Sequence, residues 1–324
     1  MTAPPLPYDR APSPTLFKLL WNGGLLEPLL GLPTREINGF THDVHFRRND
    51  EVCVYRGMAR VLVASLISDG VVKIAANRRY AAQSCAKGLF GIWNEGEPGF
   101  GRELETYLYN VVVGGSWTDG EGAIQMQWSQ VSDPWVPFDR EAALGYESTT
   151  HRLESRSFPE VQAAQAKLQT IYRHSLSQPE ACGVWEEPPV QRQRDELDQL
   201  AVDSVGRLVL IELKDAASQD SGALYYAPFQ VLRYAWVWSC ALDAVRGGLQ
   251  TLITVREALG LAAQGGYRLS GGVRAVVAFG CDLRSESVRH RYRRVLDIVH
   301  QHLPPDVSGI ETWIFTDDGP RRVT

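Results

Sequence analysis

The sequence predicts the α/β fold class, with a β-rich front portion followed by a half in which strands and helices alternate. In the front portion, the residues from Phe40 onward form short runs with strand character, and the pairs Asn49-Asp50 and Asp69-Gly70 mark turns between them. In the later half, apolar strand runs alternate with helical patterns, an arrangement typical of a sheet flanked by helices.

The stretch LDQLAVDSVGRLVLIELKD, from Leu197 to Asp215, predicts a β-hairpin. A three-residue loop that ends in Gly206 suits a type I turn closed by a left-handed residue, a conformation that glycine adopts without steric cost. Counting outward from this turn places Asp198 directly opposite Glu212. Lys214 follows two residues later and therefore lies on the same face as Glu212.

These three charged side chains indicate a metal site. Two facing carboxylates repel one another, and burial strengthens the repulsion because desolvation disfavours the charged forms. A divalent cation bound by Asp198 and Glu212 would relieve it, and Mg²⁺ commonly uses one or two carboxylates. Lys214 would then orient or activate water, or meet negative charge on a phosphate. For Glu-Leu-Lys alone, a solvated ladder of charges is the alternative interpretation.

The segment APFQVLRYAWVW adds a helix that begins near Pro228 and carries Gln230 and Tyr234 four residues apart on one face. Asp on one strand, Glu-x-Lys on the next and Gln-x-x-x-Tyr on the following helix together resemble the PD-(D/E)XK nuclease superfamily, in its RecB-like branch. The hairpin is also similar to the nuclease half of NucS-type endonucleases. The resemblance covers roughly the C-terminal half and implies a restriction-endonuclease-like core, a mixed sheet flanked by helices.

The resemblance implies five catalytic positions: Asp198, Glu212, Lys214, Gln230 and Tyr234. Asp198 and Glu212 would bind Mg²⁺ or Mn²⁺ together with the backbone carbonyl of Leu213, and Lys214 would be the catalytic lysine. The two helix residues would position water or the phosphate backbone.

Members of the superfamily often place a further acid on the helix before the sheet, and two residues are candidates. Ser157-Phe-Pro-Glu160 opens a helix that runs to about His174, but Ser-x-x-Glu is also a capping box, which would engage Glu160 at the helix terminus. Glu154, just before that helix, is the other candidate.

The rest of the implied core follows in the expected order. After the first helix, the sequence predicts these elements: a short strand at Cys182 to Glu186, the hairpin, a helix at Pro228 to Cys240, a second helix at Leu249 to Ala263, a buried strand at Gly272 to Gly280, a helix from Ser285 and the closing strand IETWIF.

The chain divides into three predicted regions. Residues 1–38 form an arm with short helices, residues 39–150 a β-rich domain for substrate recognition or dimerisation, and residues 151–324 the nuclease-like domain. The stretch DPWVPFDREAALGYES, which begins at Asp133, is predicted to be the linker because it combines prolines with mixed polarity.

Nucleic acid, with DNA favoured, is the expected partner. Four arginines are candidate contacts to its phosphates: Arg194, Arg233, Arg289 and Arg293. For the late helix that carries two of them, a solvated face is the alternative. The chain has 33 basic and 38 acidic residues, a formal charge of -5, which argues against a protein that coats nucleic acid generally.

The sequence also bears on location and on a competing function. No signal-peptide pattern or membrane-length apolar run occurs, and five scattered cysteines lack CxxC pairs, so we expect a cytoplasmic chain with reduced thiols and no structural zinc. A homodimer is compatible with these features. The alternative function is a catalytically silent nuclease-fold module that binds nucleic acid or a protein partner.

Overall fold

The protein is a mixed α/β chain with two separate sheets. Its structure is a computed structural model that describes residues 5–148, 150–151, 157–178, 183–189, 196–216, 224–283 and 285–323. The first sheet has five strands and the second has six. The predicted α/β class is therefore confirmed. No helix within these described ranges is both long and apolar enough to span a membrane.

The first sheet is an antiparallel meander in which each strand pairs with the next along the chain. Its strands are β1 (Asp43–Arg47), β2 (Glu51–Arg56), β3 (Ala59–Ser68), β4 (Val71–Ala75) and β5 (Gly91–Asn94). The strands expected from Phe40 onward are confirmed, and both predicted turn pairs contain residues with positive φ. The helices of this half are α1 (Pro14–Leu20), α2 (Arg78–Ala81), α3 (Phe100–Asn110), α4 (Gly115–Thr118) and α5 (Glu121–Ser129).

The second sheet is mixed and contains the predicted hairpin. Its strands are β6 (Trp135–Ala142), β7 (Leu197–Asp203), β8 (Leu208–Lys214), β9 (Val273–Phe279), β10 (Ile310–Thr316) and β11 (Gly319–Arg322), in the spatial order β11-β10-β9-β8-β7-β6. β6, β7 and β8 are antiparallel, whereas β9 runs parallel to both β8 and β10. The helices of this half are α6 (Pro159–Ser177), α7 (Ala227–Ala258) and α8 (Glu286–His300).

The predicted linker that begins at Asp133 is wrong, because half of it forms the edge strand β6. Trp135 and Phe138 are buried, and β6 pairs with β7 along its length. A register shift between Pro137 and Asp139 breaks the alternation by which a strand is recognised. Proline lacks an amide donor, and an edge strand tolerates this loss.

The short strand predicted at Cys182 to Glu186 is not found. Cys182 lies outside the described residues, and residues 184–189 adopt neither helix nor strand. The position beside β7 is held by β6 instead, so the first strand of the sheet precedes α6 in the chain rather than following it.

Two expectations about helices are also corrected. The separate helices at Pro228 to Cys240 and Leu249 to Ala263 are one continuous helix, α7, because two adjacent glycines cost a helix only about 1 kcal/mol each and no proline interrupts it. The capping box at Ser157 is absent. The N-cap of α6 is Phe158, which has no side-chain cap, and the Ser157 hydroxyl accepts from the Gln162 side chain.

The chain forms two compact units. One comprises Met1–Tyr8, Asp133–Gly247 and Arg268–Thr324, and it contains the second sheet. The other comprises Asp9–Ser132 and Gly248–Tyr267, and it contains the first sheet. The unit with the hairpin therefore includes residues 133–150, which the sequence analysis placed in the β-rich region.

Replacing Gly206 in the hairpin turn by alanine is expected to destabilise the protein by about 2 kcal/mol or more. Its φ is +81°, and an added Cβ would lie 2.3 Å from the backbone oxygen of Arg268. Gly247→Ala is the matched control: Gly247 lies inside α7, nothing approaches its Cβ position, and alanine should stabilise the helix by about 1 kcal/mol. Urea unfolding of both variants measures the two effects, and equal effects would contradict this account of the turn.

Candidate functional site

The hairpin of β7 and β8 has the register expected from its turn. Gln199 pairs with Ile211, and the ladder continues inward to Val202 and Leu208. Gly206 has positive φ, as the turn requires. Continuing the same register by one residue from Gln199 brings Asp198 level with Glu212.

The Asp198 carboxylate lies beyond the last backbone pair of β7 and β8 and binds the backbone of β8. Its Oδ2 accepts a hydrogen bond from the backbone amide of Leu213 at 2.7 Å. Burial raises the pKa of Asp198, against the opposing effects of Lys214, the Leu213 amide and Arg140. Burial thus disfavours the ionised form of this carboxyl group, whereas the two neighbouring cations favour it, and strongly perturbed carboxyl groups of this kind are common at functional sites.

Glu212 and Lys214 form the second part of the site. The Lys214 Nζ lies 2.6 Å from the Glu212 Oε1, and the two side chains are 18% and 5% exposed. Because they lie two residues apart on β8, both project from one face of the sheet. The Lys214 ammonium therefore lies beside the carboxylates of Glu212 and Asp198 in a largely buried cluster of charged groups.

The beginning of α7 carries the two helix residues of the expected motif. Burial raises the pKa of Tyr234, and the charges of Glu212 and Asp198 raise it further, which places its phenol near both carboxylates. Its hydroxyl donates to the backbone oxygen of Glu196 at 3.1 Å. The Gln230 Oε1 is buried, and no described residue donates a hydrogen bond to it.

Arg233 lies on the same turn of α7, where burial lowers its pKa and the charges of Tyr234 and Glu212 oppose that shift. A half-buried guanidinium that interacts with Glu212 helps to balance the negative charge of that carboxylate. The contact of Arg233 to phosphate that the sequence suggested stays a prediction.

Arg140 is a charged residue near this site that the sequence did not indicate. It lies on β6 opposite Gln199, is only 2% exposed, and lowers the pKa of Asp198. Arg140 could be recognised from the sequence only if β6 were recognised as a strand. The irregular register of β6 removes the alternation of apolar and polar residues by which a strand is identified.

The donor set fits a hard divalent cation. Two carboxylates meet at the end of the hairpin, and the Gln230 Oε1 is a further buried oxygen without a described donor. Among the described residues, no group of three or more histidine, cysteine and acidic side chains is arranged to hold a metal. Any divalent cation bound here would take its carboxylate ligands from Asp198 and Glu212.

No family model matches the chain, and neither a curated protein nor a solved structure matches it. The function is accordingly inferred from the chemistry of the site.

The remaining candidate residues lie elsewhere or outside the described ranges. Glu154 and Arg194 both lie outside the described residues. Glu160, at the first turn of α6, influences the pKa of Cys240 and of His302, and it does not contribute to the shift of Asp198. The role of the Leu213 carbonyl stays a prediction, since its amide is the group that contacts Asp198.

The arginines of α8 do not share one surface. Arg291 lies over the rings of Trp185 and Tyr225, and Arg294 also lies over Trp185. Arg289 and Arg293 instead line a cavity that also contains residues of β9, β10 and the C-terminal strand segment.

Proposed function

We propose that this chain is a divalent-metal-dependent nuclease that hydrolyses phosphodiester bonds, with DNA as its substrate. The observation that carries the proposal is the convergence of Asp198, Glu212 and Lys214 at the end of two adjacent strands. Carboxylates that would repel one another, beside a lysine, suit the binding of a cation and of a phosphate.

Each residue of the site has a role that its contacts support. Asp198 and Glu212 would hold Mg²⁺ or Mn²⁺, and a bound cation would supply neutralisation of phosphate charge and a lowered pKa of water. Lys214, held at 2.6 Å from Glu212, orients the attacking water or meets charge that develops on the phosphate. Gln230 offers a buried amide oxygen to water, and Tyr234 holds the beginning of α7 against the strand end through Glu196.

The topology supports a PD-(D/E)XK core with one departure. Antiparallel β6, β7 and β8 are followed by a helix and by the parallel strand β9, in keeping with the expected order of three strands, helix and strand. The departure is the position of α6, which follows β6 instead of preceding it. The spatial arrangement around Asp198 and Glu212 does not depend on that connection, because both residues lie on the hairpin.

A second candidate function is a catalytically silent nuclease-fold module that binds nucleic acid or a protein partner. One observation favours it: within the described residues, no third acidic side chain joins the pair. Repair of the genome, or defence against foreign DNA, is the setting that we propose for an active enzyme.

Cleavage of labelled single-stranded, duplex, branched and mismatched DNA and of RNA, with Mg²⁺, Mn²⁺ or EDTA, tests the proposal. We expect metal-dependent cutting by the wild type and none by Asp198→Ala or Lys214→Ala, with both variants folded by circular dichroism. Binding without cutting by all three proteins would favour the silent module.

A further inference from the structure

A cavity of about 100 Å³ opens beside α8, within the unit that contains the candidate active site. Its floor and walls include four side chains from the sheet and from α8: Phe279, Thr312, Ile314 and Tyr292. The Phe279 and Tyr292 rings meet edge to face, with centroids 5.6 Å apart. The lining is mostly apolar with a few polar groups, a combination that is typical of ligand pockets.

The cavity lies on the same face of the sheet as the active-site charges. Lys214 on β8 is the direct partner of Phe279 on β9, and Phe279 is in turn the partner of Ile314 on β10. Neighbouring residues in register project from the same face, so these three side chains form a row across the sheet. Since neighbouring strands are roughly 5 Å apart, Phe279, which lines the cavity, lies about one strand spacing from Lys214.

Two arginines stand on the cavity wall, four residues apart on α8. The Arg289 guanidinium donates to the backbone oxygen of Leu283, which fixes it at the cavity. Arg293 is exposed and also lines the cavity. The spacing places both on one side of the helix, where cationic groups would hold phosphates next to a group inserted in the cavity.

A pair of hydroxyl groups adds a polar contact to the apolar lining. The Tyr292 and Thr312 oxygens lie 2.9 Å apart, and both residues line the cavity. One hydroxyl hydrogen joins the two oxygens, so the second hydroxyl hydrogen can be donated to a carbonyl oxygen or ring nitrogen. An aromatic ring with acceptor atoms and a neighbouring phosphate, as in a nucleotide, matches this combination.

We infer that the cavity receives one unpaired nucleobase of the nucleic-acid strand near the cleaved bond, while Arg289 and Arg293 hold the adjoining phosphates. This inference rests on the proposed nuclease function. It makes DNA with an unpaired nucleotide the preferred substrate class, because an unpaired base enters such a pocket without the cost of breaking a base pair.

Binding of DNA that carries a single bulged 2-aminopurine, measured in EDTA, tests the cavity separately from cleavage. The wild type should bind the bulged duplex roughly ten-fold more tightly than the fully paired duplex, and the emission of 2-aminopurine should change on binding. Two variants remove the site: the double variant Arg289→Ala/Arg293→Ala, and Val323→Trp, which fills the cavity from a position that is 49% exposed. Both should lose the preference.

Matched controls lie on α6, away from the cavity lining. Arg173→Ala removes an exposed arginine, and Leu176→Trp enlarges an apolar side chain that is 56% exposed. Both should bind like the wild type. Cavity variants that keep the full preference would overturn the inference, and so would tight binding of free deoxynucleoside monophosphate without preference for the bulge.

The two proposals fail in distinguishable ways. Metal-dependent cutting of fully paired DNA that is lost in Asp198→Ala, together with unchanged binding by the cavity variants, would retain the nuclease and reject the cavity. Absence of cutting on every substrate would reject the nuclease, while the binding assay in EDTA would still report on the cavity.

Discussion

Replacing Asp198 by asparagine is expected to lower metal-dependent cleavage by about a thousand-fold or more while leaving the protein as stable as the wild type, or more stable. The change removes a charged ligand but keeps an oxygen that can accept from the Leu213 amide. Because burial raises the folded-state pKa of Asp198, the folded protein favours the neutral form more than the unfolded chain does. Ionisation therefore costs stability as the pH rises, and asparagine has no such cost.

Asp203→Asn is the matched control, since Asp203 lies at the other end of β7. Its Oδ1 accepts from the amides of Val205 and Arg207, and its Oδ2 accepts from the Arg207 guanidinium at 2.8 Å. We expect this variant to lose about 1 to 3 kcal/mol of stability and to keep its cleavage rate at temperatures where it is folded. Asp198→Asn should therefore lose cleavage activity and keep its stability, whereas Asp203→Asn should lose stability and keep its activity. Cleavage assays and thermal unfolding measure the two properties, and the same pattern in both variants would contradict the role assigned to Asp198.

Acid is expected to weaken the unit that contains the first sheet because of one buried histidine. His42 is fully buried, and its Nε2 accepts a hydrogen bond from the Arg56 guanidinium at 3.1 Å. Arg56 also donates to the backbone oxygens of Leu108 and Val111 at the end of α3. Protonation of His42 would remove the acceptor and place two cations together.

The pKa of His42 gives the direction and range of this effect. Burial, reinforced by the charge of Arg56, lowers it from 6.5 to about 3. In the unfolded chain the ring takes up its proton near pH 6.5, but in the folded state it does so only near pH 3, so the contribution is complete above pH 6.5 and is lost as the pH falls. Between pH 7 and pH 4 the resulting decrease in the free energy of unfolding is about 3 kcal/mol.

Urea unfolding of the wild type and of His42→Gln at both pH values measures the effect. Glutamine retains an oxygen that accepts from Arg56 but does not titrate, so the variant should lose less stability in acid. His290→Gln, at an exposed position on α8, is the control and should follow the wild type. An identical acid loss in all three proteins would show that His42 does not titrate as described.

The parts of the fold that follow from local chemistry could be predicted from the sequence. The turn glycine Gly206 determines the register of β7 and β8, so the position of Asp198 relative to Glu212 could be derived before any tertiary contact was known. The strand β9 was equally clear because its apolar run is continuous, and the helix α8 because its apolar residues recur at helical spacing.

The parts that depend on tertiary pairing could not be predicted. β6 contains a proline and an irregular register, and only its pairing with β7 identifies it as a strand. Arg140 and its effect on Asp198 were therefore missed with it. The cavity beside α8 was also hidden, since it is formed by residues from β9, β10 and α8 that are distant in sequence.

We propose that Asp198 and Glu212 form a divalent-metal site, and isothermal titration with Mn²⁺ measures binding at that site independently of cleavage. We expect saturable binding by the wild type and loss of that binding in both Asp198→Asn and Glu212→Gln, whereas Asp203→Asn should bind like the wild type. Binding that persists unchanged in the two site variants, or is absent from the folded wild type with and without DNA, would contradict it.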